Sequence, residues 1–157
     1  MNLWTIKNNQ IQLNLHPGQS RAWKSKARFV FIFAGTQGGK TSILPWFQAR
    51  EIKKKGAGDY IAVTASYDLF KLKFLPEMRN VFEHILKIGR YWSGDKVIEL
   101  KNPKTGLFEA KHSTDPMWGR IILRSAQSKG GLESATAKGA ILDEVGMDDF
   151  NLDDWQA

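Results

Sequence analysis

The feature that most constrains this chain is an apolar run that breaks into a glycine-rich loop, residues 28–41, RFVFIFAGTQGGKT. Residues 29–33 are aromatic and β-branched and are soon followed by glycine, a pattern that predicts a buried strand. The residues after Thr41 have helical spacing. A strand, a glycine loop and a helix in this order are the context that a phosphate-binding loop requires.

The loop fits the phosphate-binding pattern G-x-x-x-x-G-K-[ST], except that Ala34 takes the first glycine position. Backbone N–H groups of such a loop converge on an anion, and the helix N-terminus adds partial positive charge. Lys40 is predicted to contact the terminal phosphates, and the Thr41 hydroxyl to bind Mg²⁺. The alternative is an ordinary glycine turn. The other residues predicted to bind the nucleotide here are Gly35, Thr36, Gln37, Gly38 and Gly39.

A second apolar stretch, residues 138–143, is predicted to be a strand that leads into two acids, Asp143 and Glu144. A carboxylate at such a strand end can hold Mg²⁺ through water, and the next acid can polarise the attacking water. Alone, this pair could simply start a loop. Together with the glycine loop it predicts a P-loop ATPase that uses ATP and Mg²⁺, with Lys40 and Glu144 as catalytic residues.

A glutamine ahead of the loop is a candidate for base recognition. Pro17 and Gly18 predict a turn, and residues 19–27 a helix that precedes the first strand. The Gln19 amide can donate to and accept from the edge of adenine, which would separate adenine from guanine. A surface glutamine is the equally weighted alternative.

Composition and charge limit the partners and the compartment. The chain of 157 residues has no cysteine, no long apolar run and a polar start, so we expect a cytoplasmic protein with no membrane partner. Residues 143–157 hold six acids and no base, which leaves a net charge of +13 on residues 1–142. Such a basic body suggests a polyanion such as double-stranded DNA, and a solvated basic surface is the alternative.

The remaining pattern predicts an α/β fold with a mostly parallel sheet flanked by helices. The helix after the loop should end at the glycine that follows Lys55. Further strands are expected over residues 59–65 and 120–125, helical structure over 67–88, and a hairpin formed by 96–100 and 107–111. Aromatic and basic residues around that hairpin could bind nucleic acid, but covering the core is the favoured interpretation.

With these motifs in view, the chain resembles the N-terminal ATPase domain of a tailed-phage large terminase, the motor that packages DNA into a procapsid. The resemblance covers most of the chain. It rests on Pro17 and Gln19, on AGTQGGKT, on VTASYDLF, on LRSAQSKGGLES and on AILDEVG. It implies a P-loop NTPase fold of the RecA-like class. Residues 1–27 would be the adenine-side segment and residues 28–157 the ATPase core.

The resemblance also implies roles and partners. The glutamine that contacts adenine in the family matches Gln19, the metal-linked aspartate matches Asp143 and the catalytic glutamate matches Glu144. Expected partners are double-stranded DNA, a portal, a small terminase subunit and further copies of the chain in a ring.

The chain departs from the family in two ways. Many relatives carry an arginine inside the loop, where this chain has Thr36 and Gln37; Arg120 and Arg124 are candidates for an arginine supplied between subunits. The coupling segment and the nuclease domain are not in this sequence, so we expect a sheet that is incomplete at its C-terminal side. Rival interpretations are a helicase-like nucleic-acid ATPase and a remnant that binds nucleotide without turnover.

Overall fold

The computed structural model describes residues 2–35, 38–127 and 136–144. The chain divides into two compact units, residues 1–43 and residues 44–157.

The first unit contains a β-hairpin and a short helix. Strands β1 (Trp4–Lys7) and β2 (Gln10–Leu13) pair antiparallel through an Asn-Asn turn. Both asparagines have positive φ, 50° and 60°, which asparagine tolerates better than most residues. Helix α1 (Pro17–Lys24) follows. It begins two residues earlier than predicted, because proline has no N–H to lose in a first turn and its φ is already helical.

The prediction of a buried strand over residues 29–33 is wrong. These residues belong to no strand and pair with none in the described part of the chain. The side chains of Phe29, Phe31 and Phe33 are 67%, 70% and 94% exposed. Apolar, β-branched sequence favours a strand, but a strand forms only where another strand offers unpaired backbone groups.

The second unit is built on a mixed sheet of five strands in the order β4-β5-β6-β3-β7. The central strand β3 pairs parallel with β6 and with β7, while β4 with β5 and β5 with β6 pair antiparallel. The α/β class is thus confirmed, but the sheet is mixed rather than mostly parallel, because a tight hairpin joins β4 to β5. The strands are β3 (Gly58–Thr64), β4 (Gly89–Trp92), β5 (Val97–Leu100), β6 (Gly119–Ser125) and β7 (Ala137–Asp143).

Three predicted strands are confirmed as β3, β6 and β7. The predicted hairpin is wrong, because β5 pairs with β4 on one side and β6 on the other. Across the expected turn only Asn102 and Leu107 form a single bridge. All four residues of β5 are buried, so its position is set by the core rather than by the turn that follows it.

Helix α2 (Lys40–Lys55) starts in the first unit and continues into the second. It ends as predicted before Gly56, whose φ of 78° is the left-handed conformation common after helices. None of the helices described for this chain is both long and apolar enough to span a membrane.

A second helical run extends from Tyr67 to Ile85 and alternates between α-helical and π-helical turns. Its buried side chains include Phe70, Phe74, Met78 and Phe82, each four residues from the next. An α-helix has 3.6 residues per turn, so a spacing of four drifts around its surface, whereas the wider π turns keep these side chains on one face.

A buried carboxylate, Glu99, ties the antiparallel part of the sheet to the loop beyond it. Its side chain is fully buried and accepts from the Arg90 guanidinium at 2.6 Å and from the backbone N–H groups of Glu109 and Ala110 at 2.9 Å. The Trp92 indole N–H also donates to it. Burial alone would raise the pKa of Glu99, but these donors outweigh it and hold the pKa below the usual 4.5.

We expect Phe31→Ala to change the free energy of unfolding by less than about 1 kcal/mol, because the ring is already exposed to water. Phe82→Ala is the matched control: this ring is fully buried, and its loss should cost about 3–5 kcal/mol. Urea unfolding of both variants measures the difference. A loss of several kcal/mol for Phe31→Ala would show that the ring is buried in a core.

Glu99→Gln should destabilise the protein by about 2 kcal/mol at pH 7, because charge-assisted hydrogen bonds to the carboxylate are lost. A lowered pKa stabilises the folded state above the usual value of 4.5, and this contribution disappears as the pH falls through the folded-state pKa. The difference between variant and parent should therefore shrink below pH 4. Urea unfolding at both pH values, with the exposed Glu109→Gln as control, tests this; a difference that is independent of pH would contradict it.

Candidate functional site

The glycine loop leads directly into a helix, as predicted. Lys40 is the first residue of α2 and Thr41 the second. The Gly38 N–H donates to the Gly35 carbonyl at 3.2 Å. The Lys40 ammonium donates to the carbonyl of Ala34, so it reaches back across the loop. The predicted site residues Thr36 and Gln37 lie outside the described residues.

Gly39 is a position at which the backbone strongly favours glycine. Its φ is 68°, and a Cβ on it would lie 2.6 Å from Nε2 of Gln19. Its carbonyl accepts twice, from the Ile43 N–H at 3.3 Å and from Gln19 Nε2 at 3.2 Å. The close approach of the two residues therefore depends on the absence of a side chain at Gly39.

Gln19 is buried, with 6% of its surface exposed. The alternative that it is an ordinary surface glutamine is therefore wrong. Its Oε1 accepts from the His16 backbone N–H at 3.2 Å, while its Nε2 donates to the loop. One N–H and one lone pair of the amide are used by these bonds, and an amide has two of each. The proposed contact with adenine therefore needs only the second donor and the second acceptor.

Two clefts of about 390 Å³ each lie in the first unit, and His16 and Gln19 line both of them. Cavities of this size are at the lower end of the range for small-ligand sites. The walls of one cleft include Leu3, Leu15 and Gly39. The other is lined by the apolar residues 30–33, of which Ile32 is half-buried and the rest are exposed, and by Lys40. Both clefts thus combine apolar walls with loop backbone.

In the second unit, three polar side chains meet where the parallel strands end. The register pairs Thr64 with Ser125 on one side and with Asp143 on the other. All three are buried, with exposures of 0%, 4% and 6%. Within the part of the chain that the structure describes, the Thr64 hydroxyl has no hydrogen-bond partner. Buried polar groups are rarely left without one, and in α/β proteins ligands bind at this edge of the sheet.

Glu144 follows this edge directly and is exposed. Its φ of 57° lies in the left-handed region, which is uncommon for a residue other than glycine, asparagine or aspartate. The structure therefore brings Asp143 and Glu144 to the carboxyl end of β7, as the sequence predicts, with the aspartate buried and the glutamate in solvent.

The two arginine candidates occupy different places on β6. Arg120, near the amino end of the strand, makes two hydrogen bonds with Asp59, at 3.0 and 3.2 Å. Arg124 lies next to the carboxyl end and donates to the Asp95 and Leu123 carbonyls. Arg124 is thus on the same edge as Asp143, whereas Arg120 is on the opposite one.

The aromatic and basic residues around β4 and β5 are largely occupied with one another. The Arg90 guanidinium stacks at 4.7 Å on both Trp92 and Phe108, and Arg79 lies 5.2 Å from the Tyr91 ring centre. These contacts and the Glu99 network favour the interpretation that the aromatics cover the core.

His16 is a residue of the candidate site that was not predicted from the sequence. It is the N-cap of α1, and its ring contacts the glycine loop: Nε2 lies 3.1 Å from the Gly38 carbonyl oxygen. A signal was present, since His16 is followed three residues later by Gln19, the spacing of a capping box in which serine or threonine is usual. The contact with the loop has no local signature.

Comparisons with protein-family models, with curated proteins and with solved structures find no match to this chain.

Proposed function

We propose that this chain binds Mg²⁺–ATP at its glycine loop and serves as the ATPase module of a DNA-packaging motor of the large-terminase type. The observation that carries the proposal is the start of α2, where Gly39, in the left-handed conformation, is followed at once by Lys40. A glycine turn at a helix N-terminus offers backbone N–H groups to an anion, and the lysine adds a full positive charge.

The residue types suit the proposed ligands. Lys40 and the loop N–H groups would hold phosphate oxygens. The Thr41 hydroxyl and the Asp143 carboxylate are the hard oxygen ligands that Mg²⁺ prefers. Beside Asp143, the Thr64 hydroxyl has no hydrogen-bond partner among the described residues, which supports a polar ligand at that strand end. When bound, Mg²⁺ neutralises charge that develops on the phosphates. Glu144 would orient the attacking water.

The motor-specific part of the proposal rests on the resemblance: double-stranded DNA as substrate, a portal and a small subunit as partners, and a ring of copies. The net charge of +13 on residues 1–142 supports a polyanionic partner.

A helicase-like ATPase is the second candidate. Strand separation along duplex DNA would favour it over movement of an intact duplex. A nucleotide-binding remnant without turnover is the third.

Lys40→Ala should weaken Mg²⁺–ATP binding about ten- to a hundredfold, because one charge-assisted contact with the phosphates is lost. Glu144→Gln is the matched control: it also removes one charge, but from a residue proposed to act on water, and should change affinity less than about threefold. Isothermal titration calorimetry measures both. Unchanged affinity in a folded Lys40→Ala protein, or no ATP binding by the parent, would refute the proposal.

DNA binding should be weak, independent of sequence and sensitive to salt, because the basic body offers phosphate contacts and no motif that recognises bases. Raising the salt from about 50 to 200 mM should reduce affinity by at least tenfold in a fluorescence-anisotropy titration. Two duplexes of unrelated sequence should behave alike. A preference for one duplex that persists at high salt would contradict this expectation.

A further inference from the structure

His16 connects the start of α1 to the glycine loop with both nitrogens of its ring. Nδ1 lies 3.1 Å from the Gly18 N–H nitrogen and 3.3 Å from that of Gln19. Nε2 lies 3.1 Å from the carbonyl oxygen of Gly38. A carbonyl only accepts, so Nε2 carries the hydrogen and donates it, while the lone pair of Nδ1 accepts from the helix.

Gln19 makes the neighbouring contact, so two successive carbonyls of the loop are held. His16 holds that of Gly38, and Gln19 holds that of Gly39 at 3.2 Å. Gln19 is itself fixed, because its Oε1 accepts from the backbone N–H of His16. The two side chains and the helix start therefore form one hydrogen-bonded unit with the loop.

The direction of these carbonyls sets the direction of the next N–H groups. The peptide bonds of the chain are trans where it is described, and in a planar trans peptide the C=O and the N–H point in opposite directions. Drawing the carbonyls of Gly38 and Gly39 toward α1 therefore turns the N–H groups of Gly39 and Lys40 away from α1. Both N–H groups stand at the beginning of α2, where a helix has no internal acceptor for them.

We propose that His16 is a positioning residue for a bound phosphate: its Nε2–H fixes the Gly38 carbonyl, and thereby the N–H of Gly39, in the direction that an oxyanion needs. The inference rests on the proposed function. It goes beyond it by assigning a role to a residue outside the phosphate-loop motif. It also locates that role at the phosphates rather than at the base, so the effect should be the same for any ligand with the same phosphate chain.

Two substitutions test the roles of the two ring nitrogens separately. In His16→Asn the amide oxygen takes the place of Nδ1, and asparagine is a good N-cap, but the side chain is too short to reach Gly38. In His16→Gln the amide nitrogen takes the place of Nε2, while the cap is lost. His112→Asn, at an exposed histidine that bonds Asp115 through its backbone N–H and carbonyl, is the control.

Binding is measured by calorimetry with Mg²⁺–ATP and with Mg²⁺–tripolyphosphate, which has no base or sugar, and stability by thermal unfolding. His16→Asn should keep the parent's melting temperature and bind both ligands about three- to tenfold more weakly, the usual effect of one neutral hydrogen bond. His16→Gln should melt earlier and keep most of its affinity. His112→Asn should match the parent.

Each other outcome overturns the inference. If His16→Asn binds both ligands as tightly as the parent does, then His16 acts only as the N-cap of α1. A loss confined to ATP, with tripolyphosphate unchanged, would assign it to the base or sugar. If the parent binds ATP and both variants lose affinity equally while folded, the Nε2 contact is not the cause, and the proposed function stands without this inference. A parent that binds neither ligand overturns both.

Discussion

The parallel pairing of β3 with β6 and β7 is the constraint on which the second unit depends. Parallel strands share their direction, so the ends of all three lie on one edge, and the register places Thr64 between Ser125 and Asp143. The central strand brings an acid that is distant in sequence beside the Thr64 hydroxyl, with Ser125 on the other side of Thr64, and this arrangement gives the edge its chemistry.

The elements that could be predicted from sequence are those whose own residues carry a strong local pattern. Strands β3, β6 and β7 contain short apolar runs, although β7 is an edge strand with only Ile141 and Asp143 buried. Helix α2 ends where a glycine follows three lysines. Residues 29–33 carry the same signal and form no strand. The difference lies in the partner: strand formation needs unpaired backbone groups on a neighbour, which no window of sequence contains. The mixed strand direction could not be predicted for a related reason. Strand β5 pairs antiparallel with β4 and with β6, and the sequence of β5 alone does not specify those partners.

The candidate site divides in the same way. Lys40 at a helix start and Asp143 at a strand end follow from motifs with fixed spacing. The burial of Gln19 and the contact of His16 with Gly38 could not be predicted from motifs. These contacts join residues about twenty positions apart, and neither segment's sequence determines how the chain between them folds back. Gly39, which the motif predicts to contact a phosphate, is also constrained by packing, since a side chain there would collide with Gln19.

The left-handed backbone of Glu144 has a consequence for how this position can vary. A side chain with a Cβ costs roughly 1 kcal/mol or more in that conformation relative to glycine, and asparagine suffers less than glutamate. Folding alone would therefore select glycine or asparagine after Asp143. A carboxylate that persists at this position among natural variants would be maintained against the preference of the backbone. The residues found there would therefore distinguish selection for chemistry from selection for stability.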